Sequence, residues 1–290
     1  MSTTLESLRI FLFLLNSGDM KRSVIKGFAV LAIVLSGCSK PYSEFTDIPV
    51  IEAYLRPGEY LTMSVRRQIP FSTDVEYSSD DINNLAITIR NNGKNYLLTP
   101  LGDGKYADRD LIIAAGERYD LSFTFNSMKV SAYTEVPAKP ANFTESATSV
   151  SVTRMDSISG PPAGGGWEMP QPLTLKWDND DESYYIVVVE NIEETLDPVR
   201  NFENENMPTG RFRKAPTTAS GIQMRPQEFR YFGTHRLILN HVRPDYASLY
   251  DERSSSSQNL TNPSTSITNG YGIFTAINAD TLYLEVEEQK

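Results

Sequence analysis

Apolar and polar residues alternate in short runs from Val50 onward, and turn residues separate the runs. In residues 50–55 and 60–65 the apolar side chains fall largely on one face, and Pro57-Gly58 lies between the two runs. A period of two residues, bounded by Gly and Pro, is typical of β-strands. We therefore predict that these two runs form a β-hairpin.

Turn signals predict two further hairpins. Asn91-Asn92-Gly93 separates two strand-like runs, and Asn126-Ser127 lies between residues 119–125 and 129–134. Asn and Gly suit such turns because they tolerate positive φ. With about seven short strands in about 90 residues and no amphipathic helix among them, residues 49–140 are predicted to form an immunoglobulin-like or transthyretin-like sandwich.

A second domain is predicted after a linker at residues 141–166, in which residues 144–155 could add an edge strand and the Gly- and Pro-rich residues 160–166 cannot hold a regular element. Residues 173–177 and 184–189 resemble the paired strands of a fibronectin-type sandwich. Further strands are predicted at residues 229–232, 236–239 and 281–286, and a helix at residues 244–252. The predicted fold class is all-β with two β-sandwich domains, the second spanning residues 167–290, and we expect the two to fold as separate units.

The N-terminal segment has the order of a secretory signal. Basic residues at Lys21, Arg22 and Lys26 precede an apolar run at residues 28–34, which is well short of the roughly 20 residues that cross a bilayer. The run ends in Leu35-Ser36-Gly37-Cys38, which resembles the bacterial lipobox. In such sequences a peptidase cuts before the cysteine, and fatty acyl chains such as palmitate are attached to it.

Cys38 is therefore the predicted lipidation site, and its acyl chains would hold the protein on a membrane at about 0.8 kcal/mol per buried CH₂. Residues 1–37 are predicted to be a signal peptide and residues 38–48 a lipidated tether. Met20 gives a better start because it leads directly into the basic residues, so we interpret residues 1–19 as an over-long gene prediction.

Charge argues against a nucleic-acid partner. The chain has 27 basic and 37 acidic residues, a net charge of −10, and no stretch concentrates Lys and Arg into a binding stripe. Cys38 is the only cysteine, so no internal disulfide is expected. No cofactor is predicted.

Two segments suggest metal ligands but lack a complete set. His235 and His241 would lie on one face of an uninterrupted strand, yet no cysteine or Glu-x-x-His pattern supplies further zinc ligands. Residues 178–182 are rich in carboxylates but lack the Gly and distal Glu of a calcium-binding EF-hand loop. We predict strand positions for the histidines, a solvated turn for residues 178–182, and no metal site.

No catalytic residue is predicted. A Gly-x-Ser-x-Gly elbow is absent from the sequence and the single cysteine is assigned to the anchor. Paired carboxylates for glycoside cleavage stay open, because their spacing is set in three dimensions. Trp167, beside the glycine run at residues 164–166, is a candidate ligand contact that could stack on a sugar or a partner. Residues 269–274 are interpreted as structural, with Ile273 or Phe274 in the core.

Several short motifs occur in an order that resembles a known family, the uncharacterised lipoproteins of Bacteroidota classed as domain-of-unknown-function family 4249. The resemblance covers nearly all of the predicted mature chain. The motifs are Cys38, Pro49-Val50-Ile51-Glu52-Ala53-Tyr54-Leu55, Gly104-Lys105-Tyr106, Tyr119-Asp120-Leu121, Val136-Pro137 and Asn269-Gly270-Tyr271-Gly272-Ile273-Phe274.

The resemblance implies an accessory role at the outer membrane, because such proteins are often encoded beside TonB-dependent transporters of the starch-utilisation type. We expect a non-catalytic lipoprotein that assists such a transporter or binds its ligand. The alternative is an envelope glycan hydrolase or a carbohydrate-binding protein. Lys40 departs from the acidic residues favoured by the surface-export signal of these bacteria, so both the periplasmic and the outward face of the membrane stay open.

Overall fold

The computed structural model describes residues 47–68, 80–154, 171–200, 209–253 and 265–289, and most of this backbone is β-strand. Cys38 and Trp167 lie outside the described residues. Within these ranges, no helix is both long enough and apolar enough to cross a membrane.

The first eight strands come from the segment predicted to form the first sandwich, and a short helix, α1 (Asp80–Asn83), precedes the third. The strands are β1 (Pro49–Leu55), β2 (Tyr60–Arg67), β3 (Thr88–Asn91), β4 (Lys94–Leu97), β5 (Thr99–Gly102), β6 (Lys105–Ile112), β7 (Arg118–Phe125) and β8 (Met128–Glu135).

Most of the remaining strands have two to four residues, and three are longer. A second helix, α2 (Pro244–Arg253), matches the predicted helix at residues 244–252. The strands are β9 (Thr144–Glu145), β10 (Ser149–Val152), β11 (Leu173–Lys176), β12 (Tyr184–Asn191), β13 (Asp197–Pro198), β14 (Arg211–Arg213), β15 (Gly221–Met224), β16 (Tyr231–Val242) and β17 (Tyr271–Glu288).

Three sheets result, so the fold is all-β and sandwich-like, as predicted. The large sheet has ten strands, with β14-β12-β16-β17-β1-β2-β6-β5 in order, while β10 pairs with β17 and β13 with β16. Two smaller sheets have the orders β4-β3-β7-β8 and β15-β11-β9. Each small sheet contributes to its own hydrophobic core with strands of the large sheet.

The predicted hairpins are confirmed. β1 pairs antiparallel with β2, β3 with β4, and β7 with β8. Asn92 and Gly93 both have positive φ, at 49° and 78°, as do Asn126 and Ser127, at 47° and 65°. These conformations match the right-handed twist of the flanking strands.

The expected fibronectin-type pairing of β11 with β12 is wrong. β11 pairs with β9 and β15, whereas β12 pairs with β14 and β16. The two strands face each other across the second core, where Leu173 and Leu175 of β11 meet Tyr185 and Val187 of β12. The acidic turn between them therefore joins two sheets, and the apolar side chains on the facing sides of the two strands are buried between those sheets.

Part of the expected linker at residues 141–166 is ordered strand. β9 and β10 lie in it, and Phe143, Val150 and Val152 are buried in the second core. The linker thus contributes to the packing of the C-terminal half.

β17 joins the two halves of the protein. Its first part pairs in parallel with β1, from Val50↔Tyr271 to Leu55↔Ala276, and its second part pairs antiparallel with β16. Phe274 and Ala276 enter the first core, whereas Leu284 and Val286 enter the second. The segments expected to be two sandwiches therefore have separate cores but share one sheet.

The opposite face of the large sheet carries α2. Side chains alternate between the faces of a strand, so Ile186 and Val188 of β12 point away from the second core and are buried with Ala247 of α2 and Ile277 of β17. The helix covers only part of this face. A cleft lies between α2 and the neighbouring strands.

Candidate functional site

The two site residues predicted from the sequence, Cys38 and Trp167, lie outside the described residues. Their assignments as a lipidation site and a ligand contact remain predictions.

The two histidines occupy β16 and point toward the second core, on one face of the strand as expected. The ring of His235 is buried and lies 5.4 Å from that of Phe229, centroid to centroid. His241 stacks on Tyr185 at 4.7 Å, and its Nδ1 lies 2.9 Å from the carbonyl oxygen of Ala138. Each histidine has a packing role.

In the turn between β11 and β12, Asp181 accepts a hydrogen bond from the hydroxyl of Ser183 at 2.9 Å, which lowers the pKa of Asp181 below its usual value. No group of three or more His, Cys, Asp or Glu side chains suited to a metal ion occurs in the described ranges.

A cleft of about 430 Å³ lies between α2 and strands β12, β14, β16 and β17. This volume is within the roughly 300–1,000 Å³ of small-molecule sites. Its lining combines cationic, aromatic and aliphatic side chains without any Asp or Glu among the described residues. The lining residues are Arg56, Arg211 and Arg213, Phe212, Tyr246 and Tyr250, Ile186, Val188 and Ile277, and Thr209 and Asn240.

The register of the sheet places two of the arginines on the cleft side. Arg213 of β14 lies opposite Val188 of β12, and Arg211 lies opposite Glu190. Residues directly opposite in an antiparallel pair share a face, and Val188 is buried on the face toward α2. Phe212, between the two arginines, borders the cleft as well, but its ring packs against that of Phe229 in the second core, with centroids 6.4 Å apart. The alternation of β14 thus presents Arg211 and Arg213 together.

The rest of the lining comes from α2 and from β1. Tyr246 and Tyr250 are four residues apart and so lie on one side of the helix. Tyr246 packs edge-on against Tyr54 of β1, with ring centroids 5.9 Å apart, and Arg56 follows the end of β1. The guanidinium of Arg213 lies 4.6 Å from the centre of the Tyr250 ring. This cation–π contact orients the arginine at the wall of the cleft.

The charges of the cleft are not neutralised by direct ion pairs within the described chain. None of Arg56, Arg211 and Arg213 has a carboxylate oxygen within 4.0 Å there. Glu190, the cross-strand neighbour of Arg211, bonds instead to Arg236, with Oε2 and Nη2 separated by 2.6 Å. The cleft is therefore a basic site in an acidic protein.

The carboxylates with perturbed pKa values do not have the environment of a general acid. For Glu117, Asp181, Glu193 and Asp197, the pKa lies below its usual value, chiefly because hydrogen bonds stabilise the ionised form. A glycosidase acid needs the opposite shift. Nothing in the described residues indicates catalysis.

Sequence reasoning did not single out this cleft. The available signals were Gly210-Arg211-Phe212-Arg213-Lys214, a basic run in an acidic chain, and the spacing of Tyr246 and Tyr250 on the predicted helix. Neither signal shows that β14 and α2 meet, or that Arg56 joins them from the other end of the chain.

Fold and site together define an all-β protein with a basic cleft and no indicated catalytic group. The chain belongs to the family described as Domain of unknown function (DUF4249), whose sequence model matches residues 40–282 and so includes the first hydrophobic core, most of the second and the described lining of the cleft. No curated protein matches the chain.

Proposed function

We propose that this protein is a non-catalytic outer-membrane lipoprotein that acts as a ligand-binding accessory of a TonB-dependent nutrient transporter. The cleft beside α2 carries the proposal. It is large enough for a small molecule and combines buried apolar walls with cationic side chains, as specific binding sites do.

The membrane part of the proposal rests on the sequence. Cys38 follows a basic segment, a short apolar run and Leu35-Ser36-Gly37. Acylation there would hold the folded unit at the membrane through a tether. The transporter part rests on the resemblance to envelope lipoproteins encoded beside such transporters.

Binding is favoured over hydrolysis of a glycan because of the cleft's chemistry. Hydrolysis needs two carboxyl groups beside the bond to be cleaved, and no described Asp or Glu lines the cleft. The rival hypothesis predicts turnover of polysaccharides that stops when one carboxylate is replaced. A carbohydrate-binding role would instead depend on aromatic side chains, with Trp167 as the candidate.

Crosslinking of intact cells, followed by affinity purification and mass spectrometry, tests the proposal. We expect a TonB-dependent transporter to be enriched with the wild-type protein. In parallel, labelled palmitate should enter the wild-type protein and not Cys38→Ser, which should leave the membrane fraction and lose the transporter. The control is the same purification with an unrelated lipoprotein as the tagged protein. Recovery of the transporter in equal amount with this control would contradict the proposal, and so would turnover of a polysaccharide by the wild-type protein.

A further inference from the structure

We infer that the cleft beside α2 binds a small organic oxyanion, with its carboxylate, sulfate or phosphate group at the arginines and its apolar part against the sheet. The inference rests on the proposed ligand-binding function and specifies the chemical class of the ligand.

The arginines supply the anion-binding end. Arg211 and Arg213 project from alternate positions of the same short strand, and both are exposed to solvent. A guanidinium presents paired N–H donors that fit the two oxygens of a carboxylate or the oxygens of a phosphate. Because Arg56, Arg211 and Arg213 form no ion pair within the described chain, their donors are not committed to any carboxylate that the structure describes.

Three like charges at one cleft repel each other, and this repulsion is relieved when an anion binds. Some arginines elsewhere in the described chain are instead paired with two carboxylates each. Arg154 contacts both Asp197 and Glu288, and Arg67 contacts both Asp47 and Asp81. In a chain with ten more acidic than basic residues, carboxylate partners are abundant. Other described arginines, such as Arg66 and Arg90, also form no ion pair with a described carboxylate, so the cleft is distinguished by bringing three such arginines together beside apolar walls.

The sheet supplies the apolar end. Ile186, Val188 and Ile277 line the cleft and are buried in the cluster between the sheet and α2. An inorganic ion would leave these apolar walls exposed to water. An organic anion would cover them, which favours binding by about 25 cal/mol for each Å² of apolar surface removed from water. The ligand is therefore expected to be amphipathic.

Size and charge exclude a polymer with many anionic groups. A volume of about 430 Å³ holds one small molecule. A nucleic acid or a polyanionic glycan would extend over the surface of a chain with a net charge of −10 and would be repelled there.

Fluorine NMR titration tests the inference on the full chain carrying Cys38→Ser, at pH 7.5. The probes are 4-fluorophenyl phosphate, the neutral 4-fluorobenzyl alcohol and inorganic phosphate. We expect saturable binding of the aryl phosphate, with weaker binding of the other two. Arg211→Gln and Arg213→Gln should each weaken the aryl phosphate about tenfold, the loss typical of a charged hydrogen bond.

Arg118→Gln is the matched control. Arg118 is also an exposed arginine, and its guanidinium lies 4.0 Å from the centre of the Tyr133 ring, but it belongs to β7 in the four-stranded sheet. The Arg118→Gln variant changes the net charge by the same amount as the cleft variants and should leave the affinity for the aryl phosphate unchanged. Arg213→Lys, which keeps the charge and loses the paired donors, should give an intermediate affinity.

Equal affinity for the aryl phosphate and the alcohol would overturn the inference. Equal weakening by Arg118→Gln and Arg213→Gln would also overturn it, because the effect would then be one of net charge. If none of the probes binds while crosslinking still recovers a transporter, the oxyanion inference fails and the proposed accessory function stands. If the aryl phosphate binds as expected and no transporter is recovered, the oxyanion inference stands and the proposed accessory function fails.

Discussion

Gly272 lies against the backbone of Ile51, its partner in the parallel pairing of β17 with β1. A methyl group on Gly272 would be 2.0 Å from the carbonyl oxygen of Ile51, and the φ of Gly272 is 94°. Both features require glycine at this position. The close approach occurs where the strand shared by both cores meets the first strand of the fold.

Gly272→Ala should therefore destabilise the protein strongly. The positive φ alone costs about 1–2 kcal/mol for a residue with a Cβ, and the contact with the Ile51 carbonyl adds to this because a backbone strand must move. Urea unfolding followed by circular dichroism measures the loss.

Gly58→Ala is the control for the Gly272 variant. Gly58 also has a positive φ, 82°, but a Cβ there has nothing within 4 Å. We expect it to lose only the conformational part, about 1–2 kcal/mol. Equal losses for the two variants would show that the approach of β17 to β1 does not constrain position 272.

Phe274→Ala should cost about 3–5 kcal/mol, the range for truncating a fully buried phenylalanine. Phe274 is 0% exposed and belongs to the first core. Tyr283→Ala on the same strand is the comparison, because Tyr283 is 58% exposed, and its loss should stay within about 0.5 kcal/mol. Thermal and urea unfolding give both values. A Phe274→Ala protein as stable as the parent would contradict the structural interpretation of this motif.

Stability should fall between pH 7.5 and 5.5 because of His235. Burial lowers the pKa of His235 below its usual 6.5, against the opposing effects of its bond to Gly233 and of Glu285 and Glu193. Its Nδ1 lies 2.9 Å from the carbonyl oxygen of Gly233, and its Nε2 lies 3.4 Å from the amide nitrogen of Asn191. A neutral ring fits both neighbours by donating to the first and accepting from the second, whereas a protonated ring would place two donors together.

The direction of this pH dependence follows from the difference in proton binding between the folded and the unfolded chain. Below pH 6.5 the unfolded chain protonates this histidine more readily than the folded protein, so the free energy of unfolding decreases as the pH falls. Urea unfolding at pH 7.5 and 5.5 should show this loss in the wild type and a smaller one in His235→Gln. His241→Gln, which replaces the other histidine with a lowered pKa, reports the contribution of that residue. An unchanged pH dependence in His235→Gln would contradict the assignment.

The sequence was informative where structure is set by neighbouring residues. The turn at Asn92-Gly93 and helix α2 could be predicted because backbone propensity and local spacing determine them. The local pattern also indicated that Ile273 or Phe274 lies in the core, and both are buried. By contrast, the pairing of β1 with β17 joins opposite ends of the described chain, and no local pattern specifies it.

The cleft shows the same limit. Arg56 and Arg213 are far apart in sequence and come together only because β17 joins the two halves of the large sheet. Likewise, the apolar runs of β11 and β12 fit either pairing in one sheet or packing across a core. The sequence indicated β11 and β12 as strands but not which surfaces they share, and it did not predict strand β14, which carries Arg213.

The shared strand gives a last prediction, about how the two halves depend on each other. The Gly- and Pro-rich segment favours separate folding, whereas β17 supplies Phe274 and Ala276 to the core of the first half and the parallel partner of β1. A fragment of residues 47–140 lacks these groups. We expect it to unfold without a cooperative transition in urea and to bind a dye for exposed apolar surface, because truncated cores lose several kcal/mol. Coexpression with residues 141–290 should restore a cooperative transition by returning β17 to the sheet. A fragment that unfolds cooperatively alone, with the stability of the whole chain, would show instead that the two halves fold as separate units.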